Sequence, residues 1–236
     1  MDEPTSDTGK NSLGTASPLP NKDHTFLQRN GLSLAFAVLS LISVVGHAFA
    51  GFRVDQADRL EHHKKLVSPL DYLGSGAFVS SLLENWEIEF LQIAVFVVLT
   101  VFLRQKGSSE SRPFVDPPDE TYPLQASPWP VRRGGVWLQL YEHSLSVALF
   151  ALFGVCFVGH LFASWRHHHQ DLVRHGQVGP TLAEHLTSSE FWFESLQNWQ
   201  SEFVSITALV LLSIYLREKD SSQSKDVAAP HSHTGE

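Results

Sequence analysis

Long runs of apolar residues alternate with polar segments along this chain. Residues 31–52 and 144–165 each form a 22-residue run that contains no acidic residue, no lysine and no arginine. A helix of about 20 apolar residues spans a hydrocarbon core of roughly 30 Å. The two runs therefore predict transmembrane helices at about residues 31–53 and 142–166.

Two further helices are predicted from shorter apolar stretches. Residues 90–103 are apolar over most of their length, and helical character continues upstream of them. At a rise of 1.5 Å per residue, the apolar part alone is too short to cross a bilayer, so the upstream residues must contribute. The pattern predicts a helix at about residues 77–104, and the corresponding stretch further along predicts one at about 189–217.

An internal repeat relates these elements. Residues 30–111, the first copy, align without a gap on residues 143–224, the second copy, with 29 identities in 82 positions. The motifs G-H-x-F-A (46–50 and 159–163) and N-W-x-x-E-F (85–90 and 198–203) occur in both copies. We therefore predict an all-α integral membrane protein with four transmembrane helices, in two tandem parallel helical hairpins related by a pseudo-twofold axis along the membrane normal.

The segments around the two repeats are polar and rich in turn-forming residues. We predict a disordered tail at 1–28, the first repeat at 29–106, a Pro-rich linker at 107–130, the second repeat at 131–219 and a disordered tail at 220–236. Six prolines in the linker exclude a single helix there. Both tails and the linker are expected on the cytoplasmic side.

Charge sets the expected orientation and excludes one class of partner. Ten lysine and arginine residues flank the ends that would face the cytoplasm, against six in the opposite loops. This excess places both termini inside, in the inner (plasma) membrane of a cell. A net charge of −8 argues against nucleic acid, and the single cysteine, Cys156, excludes a disulfide within the chain. The expected partners are the lipid bilayer and a second copy or another membrane protein.

The residues that both copies keep lie on particular helix faces. In the first helix of each copy, a small-xxx-small pair would let two helix backbones approach closely. In the second helix, an aromatic pair lies along one stripe at helical spacing. The predicted helix-packing residues are Gly46, Ala50, Trp86 and Phe90 in the first copy, and Gly159, Ala163, Trp199 and Phe203 in the second.

Polar residues at matching depth form the candidate site. Asn30 and His47 are 17 residues apart, about 25 Å of helix, and Glu89 and Arg104 are 15 apart, about 22 Å. His47 and Glu89 should therefore lie at the same depth, and ionisable residues in a membrane usually pair. The candidate polar site comprises His47, Asn85 and Glu89, with His160, Asn198 and Glu202 in the second copy. Such pairs could equally hold helices together, or be wetted at the membrane surface.

Histidines are frequent in the two loops that are expected on the side of the membrane opposite the cytoplasm. These loops hold seven of the thirteen histidines in the chain. Imidazole binds transition metals, but His167, His168 and His169 align with non-histidine residues in the first copy, so a solvated loop is the favoured interpretation. No motif of a soluble enzyme is present, which disfavours catalysis, and no catalytic residue is proposed. No cofactor is expected; haem or a metal bound through His47 and His160 stays an alternative.

The chain resembles a bacterial family of multi-pass membrane proteins with a domain of unknown function. The resemblance lies in the pattern N-G-L-S-L at 30–34, the G-x-x-x-A motif before Arg53, N-W-x-x-E-F at 85–90 and F-L-R-Q-K-G-S-x-E-S at 102–111. The second copy departs from it at 218–220, where E-K-D replaces Q-K-G. The resemblance implies a membrane fold and no particular activity.

Three functions remain open from the residues. The first is a structural or interaction scaffold of the inner membrane. The second is a small proton- or ion-linked transporter or channel that uses the paired histidine and glutamate residues. The third is a haem- or metal-binding membrane protein.

Overall fold

The computed structural model describes residues 25–115 and 122–235, and all regular secondary structure in these ranges is helical. The helices are α1 (Phe26–Glu61), α2 (Pro69–Leu73), α3 (Gly76–Phe102), α4 (Trp129–Arg133), α5 (Gly135–Glu142), α6 (Ser144–Arg174), α7 (Leu182–Leu186) and α8 (Ser189–Tyr215). A 3₁₀ turn at Leu124–Ala126 precedes α4. The chain divides into two units, Met1–Ala50 and Gly51–Glu236, which we describe separately. The described part of the first unit, residues 25–50, is almost entirely helical.

The two first helices of the repeat are longer than predicted. α1 continues to Glu61 and α6 to Arg174, about two turns beyond the apolar runs. In α1 this extension is held by one polar contact at helical spacing and by one contact to the segment that follows the helix. Arg59 pairs with Asp55 at 2.6 Å, and the Gln56 side chain donates to the Val67 carbonyl at 2.7 Å. Hydrophobicity alone therefore underestimated where these helices end.

The second helices, α3 and α8, begin at serine caps. The Ser75 hydroxyl accepts from the Phe78 amide at 3.2 Å, and the Ser188 hydroxyl accepts from the Phe191 amide at 3.3 Å. Each cap satisfies an amide that has no partner inside the helix. The observed ends, Phe102 and Tyr215, lie two residues before the predicted ones.

Three helices in the described residues are long and apolar enough to cross a membrane, namely α1, α3 and α6. Their apolar surfaces are consistent with contact with a lipid bilayer. α8 has the same length as α3, 27 residues, but is not among the three. Its first half carries Glu194, Asn198 and Glu202, which lower its mean hydropathy.

Within the second unit, α3 packs chiefly along α6 and, over a shorter stretch, against α8. The crossing of α3 and α8 is marked by the Gln92 amide, which donates to the Ser205 hydroxyl at 3.0 Å and to the Glu202 carbonyl at 3.0 Å. Gln92 and Ser205 are equivalent positions in the two sequence copies. The two long helices that α3 packs against, α6 and α8, therefore both belong to the second copy.

The segments that follow α3 and α8 are folded into similar serine turns. The Gln105 amide donates to the Ser111 hydroxyl at 2.9 Å, and the Glu218 amide donates to the Ser224 hydroxyl at 2.9 Å. These donors and acceptors are equivalent positions of the sequence repeat. Each of these hydrogen bonds closes a turn immediately after the helix ends.

The structure describes residues 220–235 of the tail that was predicted to be disordered, and it places hydrogen bonds in this segment. Lys225 is 2% exposed, and its ammonium donates to the carbonyls of Gly107, His231 (3.3 Å) and His233 (2.9 Å). The Thr234 hydroxyl accepts from the Gly107 amide at 2.9 Å. A polar segment can be ordered without an apolar core when a buried cation satisfies its carbonyls. Of the predicted tail at 1–28, residues 1–24 lie outside the described ranges.

The predicted linker at 107–130 is likewise partly structured. Ser108 is fully buried, and its hydroxyl lies 2.8 Å from that of Ser213 near the end of α8. The prolines at 123, 128 and 130 begin or cap the 3₁₀ turn and α4, positions where a missing amide costs nothing. Residues 116–121 are outside the described ranges.

Candidate functional site

α3 and α6 approach each other closely at two glycines. A Cβ atom at Gly76 would lie 2.7 Å from the Ala163 carbonyl oxygen, and one at Gly159 would lie 2.6 Å from the Leu83 side chain. Both distances are shorter than real Cβ contacts. The predicted packing residues Gly159 and Ala163 therefore lie at this seam, opposite the second helix of the first copy.

A buried imidazole–carboxylate pair lies in the same seam. The Nδ1 atom of His160 in α6 is 2.9 Å from Oε2 of Glu87 in α3, and the two side chains are 0% and 1% exposed. Burying two ionisable groups is costly unless they satisfy each other. The pair can hold one proton in two arrangements, as imidazolium with carboxylate or as imidazole with carboxylic acid.

This pairing corrects the predicted partner of His160. We expected Glu202, from the second helix of the same copy, but α6 packs on α3 of the first copy and so meets Glu87. Glu89, the residue singled out by the shared motif, is exposed. It lies two residues from Glu87, which on a helix places it on a different face.

Asn198, a member of the predicted polar site, and Trp199, a predicted packing residue, both contact the acidic residues of α3 from α8. The Asn198 amide donates to Oε1 of Glu84, and the Trp199 indole donates to Oε1 of Glu87 at 3.4 Å. Glu84 and Glu87 are one turn apart on α3. The polar cluster therefore draws on three helices, α3, α6 and α8.

A second buried histidine, His185, contacts a residue that lies one helical turn from the buried pair. The Ser164 hydroxyl, four residues after His160, is 2.9 Å from Nε2 of His185 in α7, and both residues are buried. Burial lowers the pKa of His185 below its ordinary value, and the neighbouring His168 lowers it further. The ring of Phe191, which is 0% exposed, lies 5.2 Å from that of His160 and 5.5 Å from that of His185. Phe191 thus contacts both histidines.

A cavity of about 210 Å³, here called the His–Glu cavity, adjoins this cluster. Its acidic and basic lining comes from α3, α6, α7 and α8 and comprises Glu84, His167, His168, His185, Glu190 and Glu194, with serines and Ala77 completing the wall. Two residues of the cavity wall lie one helical turn from the buried pair. Glu84 precedes Glu87 on α3, and Ser164 follows His160 on α6. The pair is therefore about one helical turn away from the cavity.

The two sequence copies differ at the residues that make this site polar. Glu84 and Glu87 correspond to Gln197 and Gln200, which are neutral. Ser164 and His185 correspond to Gly51 and Tyr72, and a Cβ atom at Gly51 would meet the Tyr72 hydroxyl. Gly51 and Tyr72 thus meet in the first copy as Ser164 and His185 do in the second, but only the second pair carries an imidazole.

The remaining predicted site residues lie elsewhere. The Asn85 amide donates to the Ser81 carbonyl of its own helix at 2.7 Å, and the Glu202 carbonyl accepts from Gln92. Trp86 is 43% exposed and Phe203 is 39% exposed, so neither is a core residue of this unit. His47, Gly46 and Ala50 belong to the first unit, and their roles stay predictions.

We find no preformed metal-binding site in the part of the chain that the structure describes. No group of three or more His, Cys, Asp or Glu side chains is arranged there to hold an ion. His168 instead lies 3.7 Å from the Glu190 carboxylate, and His169 packs its ring against Trp165. The haem alternative stays an untested prediction.

These observations define a helical protein with three helices that are long and apolar enough to span a membrane, and with a polar cluster buried between three of its helices. The chain belongs to the family of the domain of unknown function DUF6766, which matches residues 23–236. The predicted family membership is therefore confirmed, and with it the expectation that the family assigns no activity. No curated protein and no solved structure matches the chain.

Proposed function

We propose that this protein is a small proton-linked transporter or channel of the bacterial inner membrane, in which the Glu87–His160 pair binds the proton. The observation that carries this proposal is the complete burial of the pair one turn from the His–Glu cavity. Buried ionisable groups in membrane helices are costly to keep and are commonly functional. An imidazole beside a carboxylate is suited to exchange protons near neutral pH.

The chemistry of His160 supports exchange and not only packing. Its Nδ1 atom is held by Glu87, whereas its Nε2 atom is buried and has no hydrogen-bond partner among the described residues. A ring nitrogen in that position can accept a proton when the opposite nitrogen is already bonded. Proton entry would pass from the cavity by Ser164 and His185 to His160, and the Phe191 ring contacts both histidines.

The same proposal includes four spans in two tandem parallel hairpins, with both termini in the cytoplasm. α8 equals α3 in length, starts at an equivalent serine cap and ends in an equivalent serine turn. The polar residues of its first half are directed in part to α3, since Asn198 and Trp199 bond Glu84 and Glu87. Such partners reduce the cost of placing α8 in a bilayer.

Proton flux into proteoliposomes tests this function. With a potassium diffusion potential as driving force and a trapped pH dye as readout, we expect the wild-type protein to acidify the lumen. Glu87→Gln should abolish the flux, because the amide cannot release a proton. Glu89→Gln is the matched control, since it removes an exposed carboxylate two residues along the same helix. Absence of flux in the wild type, or equal loss in both variants, would overturn the proposal.

A scaffold is the second candidate function, favoured by the close approach of α3 and α6 at Gly76 and Gly159. In that case the buried pair only fixes how the helices pack. The same flux assay separates the two candidates, since a scaffold conducts no protons. A partner or a second copy that co-purifies stoichiometrically with a flux-inactive wild type would then support the scaffold.

A further inference from the structure

The face of α8 that lies against the buried pair carries one further polar residue, Ser195. It lies one turn after Phe191, whose ring is 5.2 Å from that of His160. It lies one turn before Trp199, whose indole donates to Oε1 of Glu87 at 3.4 Å. Residues four apart on a helix share a face. Ser195 is therefore placed between the residue that contacts His160 and the residue that contacts Glu87.

Aromatic rings of α6 contact the same face of α8. The Phe157 ring lies 5.8 Å from that of Phe191, and the Phe153 ring lies 6.5 Å from that of Trp199. These ring contacts lie before and after Ser195 along α8, and Ser195 itself is 0% exposed. All of these residues belong to the second unit. The hydroxyl is therefore enclosed between helices of that one unit.

Two buried polar atoms in this enclosure, Oγ of Ser195 and Nε2 of His160, have no hydrogen-bond partner within the described ranges. Buried polar atoms without a partner are rare in folded proteins, and each calls for a physical reason. The residue that corresponds to Ser195 in the first copy is Leu82, which is apolar. The repeat therefore does not need a hydroxyl at this position in order to pack.

Given the proposed proton binding by the Glu87–His160 pair, on which this role rests, we propose that Ser195 is a positioning residue whose hydroxyl is the hydrogen-bond partner of Nε2 of His160. Before a proton binds, Nδ1–H donates to the Glu87 carboxylate and Nε2 accepts from the Ser195 hydroxyl. After a proton binds, Nε2 carries a hydrogen in both arrangements of the pair and donates to Oγ. A hydroxyl can make either bond by rotating, because it is both a donor and an acceptor. Ser195 itself neither gains nor loses a proton.

The other titratable groups around His160 come from four helices. They are Glu84 and Glu87 of α3, Cys156 of α6, His185 of α7 and Glu194 of α8. Replacing Ser195 alters none of these groups. A change in the protonation of His160 can then be assigned to the lost hydroxyl, because the charges around the ring are the same.

Nitrogen-15 NMR of the full-length protein in lipid bilayers, with labelled histidine rings, tests this role. The His160 signals are assigned by their loss in His160→Gln, and the pH at which Nε2 is half protonated is measured. We expect Ser195→Ala to lower this pH by about one unit, because a hydrogen bond from a charged ring is stronger than one to a neutral ring by about that much. Ser195→Cys, a weaker donor and acceptor, should lower it less. An unchanged value in Ser195→Ala would overturn the proposal, and so would a ring that does not titrate.

A second serine of α8 provides the matched control. Ser201 is exposed, and its hydroxyl donates to the Asn198 carbonyl of its own helix at 2.8 Å, so Ser201→Ala should leave the titration of His160 unchanged. An equal shift in both alanine variants would refute the specific role of Ser195. The NMR measurement does not depend on flux. A shift in Ser195→Ala without wild-type flux would therefore overturn the transporter and support Ser195 as the partner of His160, whereas wild-type flux without a shift would overturn only the role of Ser195.

Discussion

His160 and Glu87 are joined by a 2.9 Å contact although they come from different copies of the sequence repeat. His160 lies in the first helix of the second copy and Glu87 in the second helix of the first copy. The pairing arises because α6 packs along α3. The seam between these helices is therefore one of the places at which the two copies of the repeat contact each other.

Replacing one member of the buried pair should be more damaging than replacing both. Glu87→Leu leaves an imidazole buried without its carboxylate, which typically costs about 3–5 kcal/mol. The double variant Glu87→Leu with His160→Leu removes both polar groups and should recover most of that loss. Thermal unfolding in detergent measures the difference. If the loss of stability in the double variant equalled the sum of the losses in the two single variants, the two side chains would not stabilise the fold as a pair.

Glycine substitutions should rank by what a new methyl group meets. Gly76→Ala places Cβ 2.7 Å from a backbone oxygen, so we expect a loss of about 1–3 kcal/mol. Gly159→Ala meets only the end of the Leu83 side chain, which can rotate, and should cost less. Gly154→Ala, on the same helix with open space around it, is the control and should be neutral or slightly stabilising. The melting temperature should therefore be lowest for Gly76→Ala, higher for Gly159→Ala and highest for Gly154→Ala. A different order would contradict the packing described for α3 and α6.

Acidification should destabilise the protein partly through His185. Burial lowers the pKa of His185 from its ordinary value of 6.5, so the unfolded chain binds a proton at a higher pH than the folded one. The stability from neutral His185 is therefore complete above pH 6.5 and is lost as the pH falls below that value. His185→Gln should flatten the dependence of melting temperature on pH between 7 and 5. His175→Gln, an exposed histidine of the same region, should leave the slope unchanged.

Cysteine labelling should locate the membrane spans. In a Cys156→Ser background, Val178→Cys should react with an impermeant maleimide in intact cells. Val115→Cys and Val227→Cys, which also replace exposed residues, should react only after the cells are opened. Reaction of positions 115 and 178 from the same side would remove α6 as a span. Reaction of position 227 from outside would do the same for α8.

The helices and the repeat could be predicted from sequence because bilayer thickness and shared motifs impose strong patterns. The same patterns placed His160 and Asn198 in the predicted polar site and Trp199 among the predicted packing residues. Glu84 and Glu87 were missed because only residues common to both copies were considered, and these two are glutamines in the second copy. Acidic residues one turn apart in a membrane helix, with neutral counterparts in its duplicate, were the available signal.

The folded C-terminal segment was beyond prediction for a different reason. Its serine, proline and aspartate content is typical of disordered chain. Lys225 is buried in this segment, and its ammonium donates to the backbone carbonyls of Gly107, His231 and His233. Backbone acceptors leave no trace in composition, so a buried lysine of this kind cannot be told from a solvated one by sequence.

We have proposed that Glu87 and His160 form a proton-binding pair inside the membrane. Infrared difference spectroscopy on reconstituted protein, recorded between pH 8 and pH 5, tests it most directly. We expect a carboxylic-acid C=O band in the wild type that disappears in Glu87→Gln and is shifted in His160→Gln, while Glu89→Gln retains it. Identical difference spectra for the wild type and Glu87→Gln would contradict the claim.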